Sequence, residues 1–205
     1  CGGVVEGDRN AALQDDRSVI VFVVAEMDGA SADRATALDD GGFVVVWSSP
    51  SEYDSEYGDW DLLGQRFDAE GDRLGTEFRV NTSLGEEHSP AVTARPDGGF
   101  IVAWSHVVSH TPTWVLTALG QVFDATGEKI SPELVLGAAD EGRRKLPAIS
   151  AGGDGSFVVA WGTGDYDAEY TNPDVRDVHV RMFTADGSPL VEPFRPYADP
   201  VGRQV

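Results

Sequence analysis

Two stretches of this chain gather side chains able to hold a cation or a sugar. "SEYDSEYGDWD", residues 51–61, holds Tyr53, Asp54, Tyr57, Asp59, Trp60 and Asp61. "GTGDYDAEYTNPD", residues 162–174, holds Asp165, Tyr166, Asp167 and Tyr170. Carboxylates are hard oxygen ligands, and Ca2+ collects about six to eight of them. Aromatic faces beside carboxylates also suit sugars, stacking on the ring while the carboxylates accept hydrogen bonds from its hydroxyls. Two candidate sets follow. A ligand-binding set comprises Tyr53, Asp54, Tyr57, Trp60, Tyr166, Asp167 and Tyr170. A metal set comprises Asp54, Asp59, Asp61, Asp165 and Asp167. No D-x-[DN]-x-[DN]-G loop with its closing Glu is present, so Ca2+ is permitted and no cofactor is required. The plain alternative is a solvated acidic loop whose aromatics pack down on a sheet, and residue types alone leave all three open.

Catalytic patterns are missing. There is no G-x-S-x-G elbow, no H-E-x-x-H and no phosphate-binding glycine loop, so no catalytic residue is assigned and no enzyme is expected. His106 and His110 stand four apart, a metal spacing only on a helix. Here they fall in an expected loop before Pro112.

The acidic loops keep a fixed place in a repeat. "DDGGFVVVW" ends at Trp47, "PDGGFIVAW" at Trp104 and "GDGSFVVAW" at Trp161, two steps of 57 residues. Asp40, Asp97 and Asp154 keep the same step, as do Pro90 and Pro147. A second phrase follows each Trp: "GQRFDAEG" around Phe67, "GQVFDATG" around Phe123 and "VRMFTADG" around Phe183. The Trp-to-Phe distances are 20, 19 and 22, so the loop between varies while its flanks hold. A third phrase, "EFRVNTS", returns as "ELVLGAA" and more weakly as "VEPFRPY".

Each unit predicts four strands. The Asp-Gly pair demands φ > 0 and marks a hairpin. The strand after it is apolar on both faces, with Phe43, Val45 and Trp47 pointing one way and Val44 and Val46 the other, as in the middle of a layered structure. Prolines 189, 193 and 196 predict an irregular last strand in the third unit. No segment shows convincing helical periodicity. The boundaries are a linker over 1–17, an orphan strand over 18–32, and repeats over 33–89, 90–146 and 147–205.

Repeated four-stranded units with an aromatic and glycines at fixed places predict β-propeller-like blades, each needing neighbours to cover its apolar faces. Three units fall short of the roughly four to eight blades of a ring. The expectation is therefore a partial ring, or one completed by oligomerisation, with an open stack of β-layers as the alternative.

Charge narrows the partners. Net charge is −20, from 35 Asp plus Glu against 15 Lys plus Arg, and such a surface repels nucleic acid, whose binding rests on neutralising phosphates. No run of 18 apolar residues is present to span a membrane as a helix.

The pattern P-x-V-x-A-x-x-D-G-G-F-V-V-x-W … G-Q-R-F-D-A-x-G … E-F-x-V-N-T resembles tandem repeats of large bacterial surface and secreted proteins, often found beside calcium-binding repeats. The chain's start, Cys1-Gly2-Gly3 followed by a short polar stretch, resembles a mature bacterial lipoprotein, which implies a lipid on Cys1 as the only membrane contact. These resemblances imply a location outside the cell or on its outer surface. The expected function is structural or adhesive, acting by self-association into an oligomer or filament and by loop contacts. The alternative is a lectin-like module for a surface glycan.

Overall fold

The computed structural model describes residues 31–50, 59–109, 115–141, 147–163 and 177–197. Among them every regular element is a strand, and there are eleven. The first unit holds β1 (Ser31–Ala37), β2 (Phe43–Pro50), β3 (Trp60–Phe67) and β4 (Arg73–Arg79). The second holds β5 (Glu86–Ala94), β6 (Phe100–Ser109), β7 (Val115–Phe123) and β8 (Leu134–Glu141). The third holds β9 (Ala148–Ala151), β10 (Phe157–Thr163) and β11 (Asp177–Phe183). Within each unit consecutive strands pair antiparallel in an up-and-down order. Units one and two are joined at the backbone by a single parallel pair, Trp60 with Glu86. The third unit forms its own sheet. In place of a fourth strand it has two isolated bridges, Phe183–Pro189 and Val180–Phe194, because a proline cannot donate to the ladder.

One turn closes the tight hairpins six times. Gly41, Gly71, Gly98, Gly127, Gly155 and Gly187 all sit at φ between +81° and +89°, where an L side chain is strained. Each donates its N–H to the carbonyl three residues back. An aspartate locks the first-hairpin copies further, with Asp40, Asp97 and Asp154 accepting from the N–H of Gly42, Gly99 and Ser156. The turn is thus a type I turn ending in a left-handed glycine, rather than a two-residue hairpin.

The repeated glutamine of the second phrase also has a physical reason. Gln65 donates its amide to the carbonyls of Arg66 and Leu74, and Gln121 to those of Val122 and Ser131. Both are buried and tie the third strand to the segment beyond it. The third unit has Arg181 at this place, and its Nε donates to the carbonyl of Val191 at 3.1 Å.

The core lies between units. Val44, Val46 and Leu62 of unit one pack on Phe100, Val102, Trp104, Leu119 and Phe123 of unit two. The opposite face of unit two, Ile101, Ala103, Ala118 and Val122, packs on Phe157, Val159, Trp161 and Phe183 of unit three. The central strand β6 is therefore buried on both sides over Phe100–Ser105, as its two-sided apolar pattern predicts.

Candidate functional site

The loops that follow β2, β6 and β10 open beyond the pairs Pro50–Trp60, Ser109–Val115 and Thr163–Asp177, the equivalent end of each unit. Tyr53, Asp54, Tyr57, Asp165, Tyr166, Asp167 and Tyr170 lie outside the described residues, as do Cys1, His110 and residues 18–30 of the orphan strand expected over 18–32, whose last two residues, Ser31 and Ala32, instead open β1. Of the first acidic loop, Asp59, Trp60 and Asp61 are described. Trp60 opens β3, and its half-buried ring lies 6.3 Å from the His88 ring at 45°. Asp61 is largely buried and is held by the Arg79 guanidinium and by the Asn81 side-chain amide at 3.0 Å. Its charge is already matched by a cation of the fourth strand. Among the described residues no group of three or more His, Cys, Asp or Glu is arranged to hold a metal ion.

The described residues instead bring together a cluster that residue types alone do not reveal. Glu87 on β5 pairs across the ladder with His106 on β6, so His106 sits in a strand and not in the expected loop. Glu87 is fully buried. Its Oε1 accepts from Ser83 Oγ at 2.9 Å and lies 2.8 Å from His106 Nδ1, while Oε2 has no hydrogen-bond partner. Next to it, Glu86 Oε1 lies 2.8 Å from His88 Nε2. The hydrogen bond to Glu87 raises the His106 imidazole above its usual value against an opposing pull from burial, and the Glu87 charge adds to the rise. Carboxylate and imidazole face each other across two strands, under the segment that joins units one and two. Their chemistry is that of an ion pair that fastens strands, responsive to pH near neutrality.

The joining segment is itself clasped by the next unit. Glu133 Oε2 accepts from the N–H of Thr82 and Ser83, and Lys129 Nζ donates to the Asn81 carbonyl and to Thr82 Oγ1. The sequence signal for it is slight: Glu133 opens the third phrase of unit two and Lys129 stands four residues before it.

A surface with a recurring design is the apolar face between units. A stacked pair recurs in all three: Phe43–Phe67 at 4.8 Å, Phe100–Phe123 at 4.7 Å and Phe157–Phe183 at 4.9 Å. In units two and three these rings and the following Trp are buried. In unit one Phe43, Trp47 and Phe67 are only half-buried. On the far side of unit three, Val178 and Met182 are 40% and 42% exposed, whereas their counterparts in unit two, Ala118 and Val122, are 0% and 1% exposed. Among the described residues, unit three thus leaves exposed a face whose equivalent in unit two is closed by the next unit. No protein-family model and no curated protein matches the chain.

Proposed function

We propose that the chain is a non-enzymatic building module of the cell surface or extracellular space, with a structural or adhesive role exercised through self-assembly and rim-loop contacts. The observation that carries this reading is the recurrence of one face-to-face contact, with the unit-three face left exposed at Val178 and Met182 among the described residues. A protein that worked alone would be expected to cover such faces, since contiguous exposed apolar surface marks interaction sites. In this reading the units are β-propeller-like blades. The first strands of successive units touch, β1 with β5 and β5 with β9, while β4 and β8 pair only with the third strand of their own unit. That order suits first strands on the inside and fourth strands on the rim. Further units complete the array, in a ring or in an open run.

The test is the solution mass of the chain by size exclusion with light scattering over a range of concentrations, in calcium and then in a chelator. A defined oligomer or growing polymer is expected. A monomer at every concentration overturns the reading. A mass that falls on chelation assigns an ion to the acidic loops.

A further inference from the structure

We infer that the joint between units one and two is a proton-operated latch, shut while the His106 imidazole carries a proton and freed over residues 84–88 when that proton leaves. The inference stands apart from the assembly reading, because the contact lies inside one chain. Its basis is the way the joint is tied. The Ser83 carbonyl accepts from Arg79 Nη2 at 3.1 Å and from Asn81 Nδ2 at 3.0 Å. Glu133 and Lys129 clasp residues 81–83 from unit two. Beyond Ser83, Trp60 donates its N–H to the Gly85 carbonyl at 3.3 Å and pairs with Glu86.

His106 supports this stretch twice. Ser83 Oγ donates to Glu87 Oε1, and His106 Nδ1 lies 2.8 Å from that same oxygen. The backbone at Gly85, with φ +144°, also lies close to the ring, where an added Cβ would stand 3.1 Å from His106 Cε1. Glu87 is fully buried and its Oε2 has no hydrogen-bond partner. Among the described residues its ion pair is with His106. The other cations of the joint are engaged: Lys129 on Asn81 and Thr82, Arg79 on Asp61, and His88 on Glu86. On β7 the residue paired with His106 is Thr117, which is uncharged. Glu133 is the second acid that acts on the ring.

No second cation therefore replaces the imidazolium, and a buried carboxylate left without its counter-charge is costly. The His106 side chain is 17% exposed, so water reaches it. The hydrogen bond to Glu87 holds the imidazole above its usual value of 6.5. The fastening is whole below that value and is lost as pH rises through the folded one.

The experiment is amide hydrogen exchange by NMR on the full chain, with the amides of β10 as the reference at each pH, so that the intrinsic pH dependence of exchange cancels. From about pH 6 to about pH 8.5, exchange over residues 84–88 relative to β10 is expected to rise roughly threefold or more. Glu87→Gln keeps an acceptor for Ser83 and His106 but removes the charge, and its ratio is expected to stay flat. His106→Gln leaves the carboxylate unmatched at every pH, so its ratio is expected to be high throughout. His88→Asn is expected to keep the wild-type rise. Should Glu87→Gln fail to fold, Ser83→Ala replaces it, and fast exchange of residues 84–86 at both pH values is expected because the joint is untied from the pair. A wild-type ratio that does not change with pH overturns the latch. So does a rise that survives Glu87→Gln, that persists in Ser83→Ala or that vanishes in His88→Asn.

Discussion

Units one and two carry nearly the same phrase, yet they bury it differently. Trp104 and Phe100 are fully buried, whereas Trp47 and Phe43, at the same places 57 residues earlier, are only partly buried. The ring stacking is alike in both, and so is the hairpin turn. What differs is the neighbour. Burial in this molecule is a property of position in the stack, so equal residues contribute unequally to stability.

The sharpest way to break that comparison is to remove the tryptophan from each unit in turn. Trp104→Ala should cost about 3–5 kcal/mol, since it empties a closed core. Trp47→Ala should cost less, roughly 2 kcal/mol in dilute solution, because its ring is only partly buried. Denaturant melts of the two variants decide the matter, and equal losses would mean that unit one is covered by something else. The indole N–H of Trp104 has no hydrogen-bond partner, so Trp104→Phe should recover much of the loss.

Next in size is the buried carboxylate between units one and two. Glu87→Ala should cost about 2–3 kcal/mol, because Ser83 and His106 lose their shared acceptor inside the protein. Unfolding curves followed by fluorescence provide the check, and a neutral result would show that the unpartnered Oε2 offsets the bonds of Oε1.

The turn glycines separate strain from contact. Gly71→Ala and Gly187→Ala impose the same left-handed backbone penalty, about 1 kcal/mol. Only the second also drives a methyl into Leu134, adding about 1–3 kcal/mol. A double comparison of melting temperatures isolates the inter-unit contact, and identical losses would deny it.

Titration gives the smallest effects. The His106 value is raised above 6.5 in the folded chain, so its contribution is fully present below pH 6.5 and fades as pH rises through the folded value. Glu87→Gln should flatten that slope in a pH series of melts. At the acid end, hydrogen bonds from Thr126 to Asp124 and from Ser156 to Asp154 hold those carboxyls below their usual range. Their contribution is present above the unfolded value and is lost as pH falls through the folded one. Ser156→Ala should weaken the acid-side dependence without changing the neutral-pH side.

Much of this was legible in the chain. The 57-residue step sets the spacing of the units, although β1 and β5 begin at Ser31 and Glu86, ahead of the boundaries expected at 33 and 90, and the Asp-Gly signal finds the hairpins because a glycine tolerates that φ without strain. The two-sided apolar pattern of residues 43–47 and 100–104 predicts a strand between layers, and β6 is one. Prolines 189, 193 and 196 forecast the broken edge of unit three. The Glu87–His106 pair escaped because it depends on a register between strands that side-chain types do not encode, and His106 reads as loop because Pro112 follows it closely. Asp61 resembles a metal ligand in sequence, and only the fold places Arg79 and Asn81 on its carboxylate. The inter-unit ledger of glycines and rings was hidden for a related reason. Gly71, Gly127 and Gly187 are the same letter in the same phrase, and only neighbours distinguish them.

The clasp on residues 81–83 has a consequence for how such a chain can change length. Lys129 and Glu133 belong to the unit that follows the segment they hold, so the joint between units one and two is fastened from its downstream side, while unit three has Pro189 and Pro193 at those places. Duplication of unit two in a whole 57-residue step would carry that clasp to a new joint. An addition of any other length would separate a segment from the unit that holds it.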